Sequence, residues 1–177
     1  MSLHFAEFLV GMSLVFCGSS LVFRTHFCEY ILRKFLRSEL ANSATFSIAG
    51  AWFLGHILTL GESDFGQYKL ALFAFFLTII LVALAKLRDF LSVRGAAILG
   101  LLVANELLKA AFLQPYVSRL ILVFFVYLMI VAAMIFGGWP YKARDFVDFV
   151  FSHPTRPRLL GFFFTAYGAL TLTTLFW

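Results

Sequence analysis

Six long apolar segments alternate with shorter polar segments along the 177-residue chain. Most of the apolar segments have about 20 residues, the length with which a helix crosses a hydrocarbon core of about 30 Å. The segments are residues 3–23, 44–60, 68–85, 95–113, 116–136 and 159–177. The pattern therefore predicts an all-α fold, a polytopic transmembrane helical bundle of six spans that forms a single domain.

The polar connections contain weaker helical patterns. In residues 26–40, aromatic and aliphatic side chains recur on one helical face. The opposite face carries Arg33, Lys34 and Arg37. Residues 142–151 are also amphipathic, whereas the two prolines in residues 152–157 predict extended chain there. We expect short interfacial helices at the surface of an anionic leaflet.

The basic residues are concentrated in alternate connections. Of the 14 Lys and Arg residues, all but Lys69, Lys109 and Arg119 follow the first, third or fifth span. The positive-inside rule places these connections in the cytoplasm and both termini on the outer, periplasmic side of a bacterial inner membrane. The residues expected at the lipid surface are Arg33, Lys34, Arg37, Arg88 and Arg144. Because this rule already explains the net charge of +5, no nucleic-acid partner is expected.

A short motif, a basic residue followed after one position by Phe and an aliphatic residue, recurs in the three basic connections. It begins at Arg33, Arg88 and Arg144, and each copy lies between two apolar segments. One interpretation is a bundle of three tandem helical hairpins, since internal repeats are common in membrane folds. The alternative is that any interfacial connection would carry such residues.

Polar residues within the apolar segments are the candidates for function, because ionisable groups in a span usually face protein and have partners. The predicted cluster is Glu7, His56, Asn105, Glu106 and Lys109, all toward the outer end of the bundle. One interpretation is structural, with Glu106 paired to Lys109 three residues later. The other is an outer-side site for a proton or a ligand.

The histidines raise a further possibility. His4 and His56 form the one pair expected at a common depth, and they would be the ligands of a metal or haem; His26 and His153 are expected at the cytoplasmic surface. The sequence requires no cofactor, and haem or quinone remains an open alternative. Cys17 and Cys28 do not form a CxxC pair, so we expect free thiols.

No nucleophile, metalloprotease or phosphate-loop motif occurs in the sequence, which argues against an enzyme. The first hypothesis is a non-catalytic integral membrane subunit that packs against lipid and against other membrane proteins or further copies of itself. The first alternative is a small transporter or proton-conducting protein that uses the outer polar layer. The second is a quinone- or haem-associated electron-transfer subunit.

Overall fold

The computed structural model describes residues 2–61, 65–86, 91–116 and 118–176. Within these residues the chain forms eight α-helices and no β-strand, so the predicted all-α class is confirmed. The helices are α1 (Leu3–Phe23), α2 (Thr25–Arg37), α3 (Glu39–Leu58), α4 (Lys69–Lys86), α5 (Leu91–Ala111), α6 (Arg119–Gly138), α7 (Pro140–Phe151) and α8 (Thr155–Thr173). Short 3-10 turns at Gly66–Tyr68 and Thr174–Phe176 lie before α4 and after α8.

Four of the described helical segments are long and apolar enough to cross a membrane. They are Leu3–Phe23, Gly66–Lys86, Leu91–Ala111 and Arg119–Gly138. Helices α3 and α8 are less apolar by composition, because α3 includes Asn42 and His56 and the first turns of α8 include Arg156 and Arg158. The chain is therefore compatible with an integral membrane protein.

Helices α1 and α8 form the most extensive contact among the described helices, and glycines make it possible. A Cβ atom added to Gly18 would lie 2.6 Å from the carbonyl oxygen of Gly161, and one added to Gly168 would lie 2.8 Å from that of Gly11. Since these distances are too short for side chains, the two backbones touch directly. Small residues allow such close approach in membrane helices, where dispersion rather than hydrophobic burial holds helices together.

The main apolar core lies where α1, α5 and α6 meet. Leu3 and Val10 of α1 pack with Leu107 of α5 and with Leu122 and Val126 of α6. The hydroxyl of Tyr167 in α8 donates a hydrogen bond of 2.7 Å to the carbonyl of Ile121, which fastens α8 to α6.

A second, smaller core joins α3, α4 and α5 through Phe46, Ala83 and Leu91. Near it the side-chain oxygen of Asn42 accepts a hydrogen bond of 2.8 Å from the buried backbone amide of Ser92. This bond satisfies one of the first-turn amides of α5, which no carbonyl within the helix can reach. Helix α4 lies at the edge of the bundle, where Ala83 is its only buried residue.

The strongest contacts are those of α1 with α8, α5 with α6, α3 with α5 and α3 with α4. A bundle of three tandem hairpins would instead pair α1 with α3, α4 with α5 and α6 with α8. None of these pairs is among the principal contacts of the described residues, so the three-hairpin arrangement is not confirmed.

Some segment ends predicted from the sequence differ from the ends of the helices in the structure. Helix α3 begins at Glu39 rather than near residue 44, because the hydroxyl of Ser38 accepts a hydrogen bond from the amide of Ala41 and caps the helix. The extended chain predicted for residues 152–157 is wrong, since α8 begins at Thr155. Pro157 is accommodated as the third residue of α8, where a backbone N–H would have no helical partner.

Candidate functional site

The carboxylate of Glu106 is the centre of a polar cluster on α3 and α5. One of its oxygens accepts a hydrogen bond of 3.0 Å from Lys109 Nζ and one of 3.3 Å from Asn105 Nδ2. His56 Nε2 lies 3.8 Å from the same oxygen, which is too long for a hydrogen bond but suits an ion pair when the imidazole is protonated. The Glu106 carboxylate therefore has cationic or polar neighbours from two helices.

Local sequence explains how this cluster forms. Residues 105, 106 and 109 share one face of α5, because positions three and four apart lie on the same side of a helix. His56 lies near the end of α3, which packs beside α5. The ring of Trp52, one turn earlier, lies nearly parallel to that of His56, with 6.5 Å between ring centroids.

The cluster lies at the surface of the bundle rather than in its interior. The side chain of Glu106 is 39% exposed, that of Lys109 59% and that of His56 32%. The neighbours Ala104 and Leu107 on α5 are buried. The polar face of α5 thus points away from the core that α1, α5 and α6 form.

Glu7 occupies a different place. Its carboxyl is only 1% exposed, and both oxygens lack a hydrogen-bond partner. The one ionisable side chain within 4 Å of it in the described structure is His4, whose Nδ1 lies 3.6 Å away. His4 is half exposed and contacts the ring of Tyr116 with 5.4 Å between centroids. A buried carboxyl without a hydrogen-bond partner is a candidate functional group.

The structure thus separates the predicted cluster into two groups. His56, Asn105, Glu106 and Lys109 come together on α3 and α5. Glu7 instead pairs with His4 on α1. The spacing of three between Glu106 and Lys109 predicted their ion pair, but only the packing of α3 against α5 brings in His56.

The predicted pair of haem or metal ligands is not brought together by any described contact. His4 contacts Glu7 and Tyr116, whereas His56 contacts Trp52 and Glu106. Within the described ranges, no group of three histidine, cysteine or acidic side chains is placed to hold a metal ion.

The basic residues predicted at the lipid surface lie on α2 and α7, except Arg88, which is outside the described residues. Arg33 bonds Glu29 on its own helix and Asp148 on α7, and so joins the two amphipathic helices. Both hydrogen bonds raise the pKa of Arg33 above its already high ordinary value, and the bond with Glu29 has the larger effect.

The other three basic residues are less constrained. Lys34 lies over the ring of Tyr30 at 5.5 Å, and Arg144 Nε lies 3.7 Å from the carboxylate of the adjacent Asp145. Arg37 lies in the last turn of α2, where a cation interacts favourably with the helix dipole. All of these contacts are local. The polar side of α2 carries three cations and one carboxylate, whereas α7 carries two cations and two carboxylates.

The sequence predicts only a location at the cytoplasmic surface for His26 and His153. The structure places both in the wall of one cavity of about 560 Å³ with Arg24 and Arg158. Each lies next to a helix start, at Thr25 or Thr155, and these starts are far apart in the sequence. No local pattern could have indicated that they meet.

No known protein family, no curated protein and no solved structure matches this chain.

Proposed function

We propose that the chain is a non-catalytic integral membrane subunit that crosses a bacterial inner membrane six times and packs within a larger membrane assembly. Four helices have the length and composition of spans. The close contacts Gly11–Gly168 and Gly18–Gly161 lay α8 antiparallel along the length of α1. A helix in backbone contact with a spanning neighbour over that length crosses with it, which supports a span for α8.

The same argument supports a span for α3. The start of α3 lies against the start of α5, where Gly95 meets the backbone of Phe46. The end of α3 lies against the end of α5, where His56 meets Glu106. The two helices are therefore parallel. Six alternating crossings require this, because α3 would be the second span and α5 the fourth.

Contacts between the connections support the proposed sidedness. The ion pair between Arg33 and Asp148 brings α2 and α7 to one end of the bundle. The bond from Ser92 to Asn42 joins the starts of α3 and α5, and both helices contact α2 as well. The basic connections therefore form one face, which is cytoplasmic under the positive-inside rule, and both termini are on the periplasmic side.

The observation that carries the subunit role is the exposure of the Glu106 cluster. Glu106 precedes the end of α5 by five residues, so it lies about 7–8 Å inside the helix end. A charged side chain that faces lipid in a span costs on the order of 2.5–3.5 kcal/mol at the centre and less near the surface. A partner helix over this face would remove that cost by supplying polar contacts.

The loose attachment of α4 supports the same role. Among its contacts, those with α3 are the most extensive, and Leu70, Phe75 and Leu81 are more than half exposed. Lipid alone can cover apolar side chains, so this observation is secondary to the exposed charges on α5.

The test is co-purification from native membranes in mild detergent with a variant that blocks the proposed contact. Asn105→Trp adds bulk on the exposed polar face of α5. Phe8→Trp is the matched control, because Phe8 is 48% exposed on α1 near the same end of the bundle. We expect Asn105→Trp to reduce the recovered assembly about tenfold, equivalent to about 1.4 kcal/mol, and Phe8→Trp to leave it unchanged.

Both variants should keep the thermal midpoint of the isolated chain. A wild-type chain that purifies from native membranes alone, as a stable monomer, would contradict the subunit role.

A second function, proton conduction or proton-coupled transport, is favoured by Glu7. Its carboxyl is buried without a hydrogen bond, and half-exposed His4 lies between it and the outer end of the bundle. Such a pair can pass a proton from the outer surface to a buried carboxyl. Purified chain in liposomes loaded with a pH-sensitive dye tests this function.

Under this alternative, Glu7→Gln abolishes proton flux and leaves the thermal midpoint near that of wild type. Ser13→Ala is the control, because the Ser13 hydroxyl bonds only its own helix at the Val10 carbonyl. Wild-type liposomes with no flux above that of empty liposomes would exclude conduction by the chain alone.

A further inference from the structure

The cavity formed by Arg24, His26, His153 and Arg158 lies between two helix corners, α1–α2 and α7–α8. It is large enough for a lipid headgroup at about 560 Å³. Its described lining has four basic side chains and no carboxylate. All four are exposed, so an anion can reach them from the surface.

Arg24 and Arg158 have no ion pair in the described part of the chain, unlike the neighbouring arginine. Arg156 donates to the Phe149 carbonyl at 2.9 Å and to Ser152 Oγ at 2.6 Å. It also lies 4.2 Å from the centre of the Phe149 ring. Arg156 is therefore engaged within the protein, while Arg24 and Arg158 are available to an external anion.

Two helices begin at this cavity. Thr25 is the first residue of α2 and Thr155 the first of α8, and neither helix has a side-chain hydrogen bond that caps its first turn. Helix starts attract anions, but α1 ends at Phe23 and α7 at Phe151 beside the same cavity, so their negative dipole ends offset the positive ends of α2 and α8. In the first turn of α8 the Arg156 amide bonds the His153 carbonyl and Pro157 has no N–H. The charge of the arginines therefore supplies the attraction for an anion.

An apolar groove of about 660 Å³ continues from the cavity along the inner angle between α1 and α2. Phe23, Arg24 and Phe27 line both the cavity and the groove, so the two spaces adjoin. The far wall of the groove includes Phe16 and Ile31. A basic cavity that opens into an apolar groove complements a molecule with an anionic head and a hydrocarbon chain.

We propose that this combined site binds one anionic phospholipid, with its phosphate between Arg24 and Arg158 and an acyl chain in the groove. In the proposed topology the site lies at the cytoplasmic interface, where anionic headgroups are found. The site depends on insertion of the chain in a membrane but not on the subunit role or on proton conduction.

The test is native mass spectrometry of the purified full chain in a neutral detergent, titrated with phosphatidylglycerol or with phosphatidylcholine of the same chain length. We expect one phosphatidylglycerol per chain, bound at least tenfold more tightly than phosphatidylcholine. Each basic side chain near an anionic headgroup contributes about a fivefold factor in affinity. Arg24→Gln and Arg158→Gln should each weaken binding about fivefold, and the double variant about 30-fold.

Arg144→Gln is the matched control, since it removes the same charge from α7 outside the cavity and should change binding less than twofold. If the double variant does not fold, the two single variants remain as the test. Arg24→Lys, which keeps the charge, should retain most of the affinity for phosphatidylglycerol. A hundredfold excess of inorganic phosphate should leave the lipid bound, because phosphate cannot fill the groove.

Equal binding of the two lipids would overturn the proposal. So would unchanged binding in the arginine variants, or an equal loss in Arg144→Gln. Displacement of the lipid by inorganic phosphate would reassign the cavity to a free anion.

Discussion

At the scale of single residues, the sequence predicts contacts that lie within one helix and misses those between helices. The ion pair of Glu106 with Lys109 follows from their spacing, and it is present at 3.0 Å. The approach of His56 to Glu106 and the bond from Ser92 to Asn42 depend on how α3 packs beside α5. Asn42 was assigned to a polar connection, yet it is 8% exposed.

The contact between Asn42 and Ser92 gives a first prediction. Asn42→Ala removes the acceptor of a buried amide and should lower the free energy of unfolding by about 1–3 kcal/mol. Thermal unfolding in detergent measures the change. Ser43→Ala is the control, because exposed Ser43 bonds only the Glu39 carbonyl of its own helix. Equal midpoints for the two variants would show that the bond contributes nothing.

The thiol of Cys28 gives a second prediction. Burial, and to a lesser degree the Cys17 thiol, raises the pKa of Cys28 above that of an exposed cysteine. Because only the thiolate reacts with maleimide, less of the reactive form is present at a given pH. In a Cys17→Ser variant, the pH of half-maximal labelling of Cys28 should be higher in the folded chain than in the chain denatured in SDS.

Each labelling curve is scaled to its own maximum, which removes differences in access. A folded midpoint equal to or below the denatured one would contradict the effect of burial.

At the scale of helices, apolar patterns locate the elements and capping side chains decide where they end. Residues 3–23 were predicted as one apolar segment, and α1 has those bounds. For α3, the cap at Ser38 outweighs the apolar pattern, which begins later. For α8, the two prolines in residues 152–157 predict extended chain, but a helix accepts proline in its first turn, and α8 contains Pro157 there.

The glycines of α1 allow another helix to approach closely, and α8 does so. Gly18→Ala would place a Cβ against Thr165 Oγ1 and 2.6 Å from the Gly161 carbonyl oxygen, so the helices must separate. We expect a loss of about 1–3 kcal/mol in the free energy of unfolding.

Gly55→Ala is the control for this third prediction, because nothing lies within 4 Å of the added Cβ. It should be neutral or stabilising by up to about 1 kcal/mol, since alanine favours helix. Unfolding in detergent compares the two variants. A Gly18→Ala chain as stable as Gly55→Ala would mean that α1 and α8 are not in backbone contact.

At the scale of the whole molecule, the sequence predicts the class and not the arrangement. Hydropathy alone identifies helices suited to a membrane. It cannot reveal that α1 pairs with α8, because the contact joins opposite ends of the chain. The one signal for it lies in glycine spacing, since Gly11 and Gly18 are seven residues apart and so are Gly161 and Gly168. The basic cavity was missed for the same reason, since Arg24 and Arg158 belong to different helix corners.

The central claim is six crossings with the basic connections in the cytoplasm. It is tested by single cysteines in a Cys17→Ser, Cys28→Ser background, labelled in intact cells with a membrane-impermeant maleimide. We predict that Ser2→Cys, Gln67→Cys and Thr174→Cys label in intact cells, and that Ser38→Cys and Ser152→Cys label only after the membrane is opened. Protection of residue 67 or 174 in intact cells, or labelling of residue 38 or 152, would contradict the account.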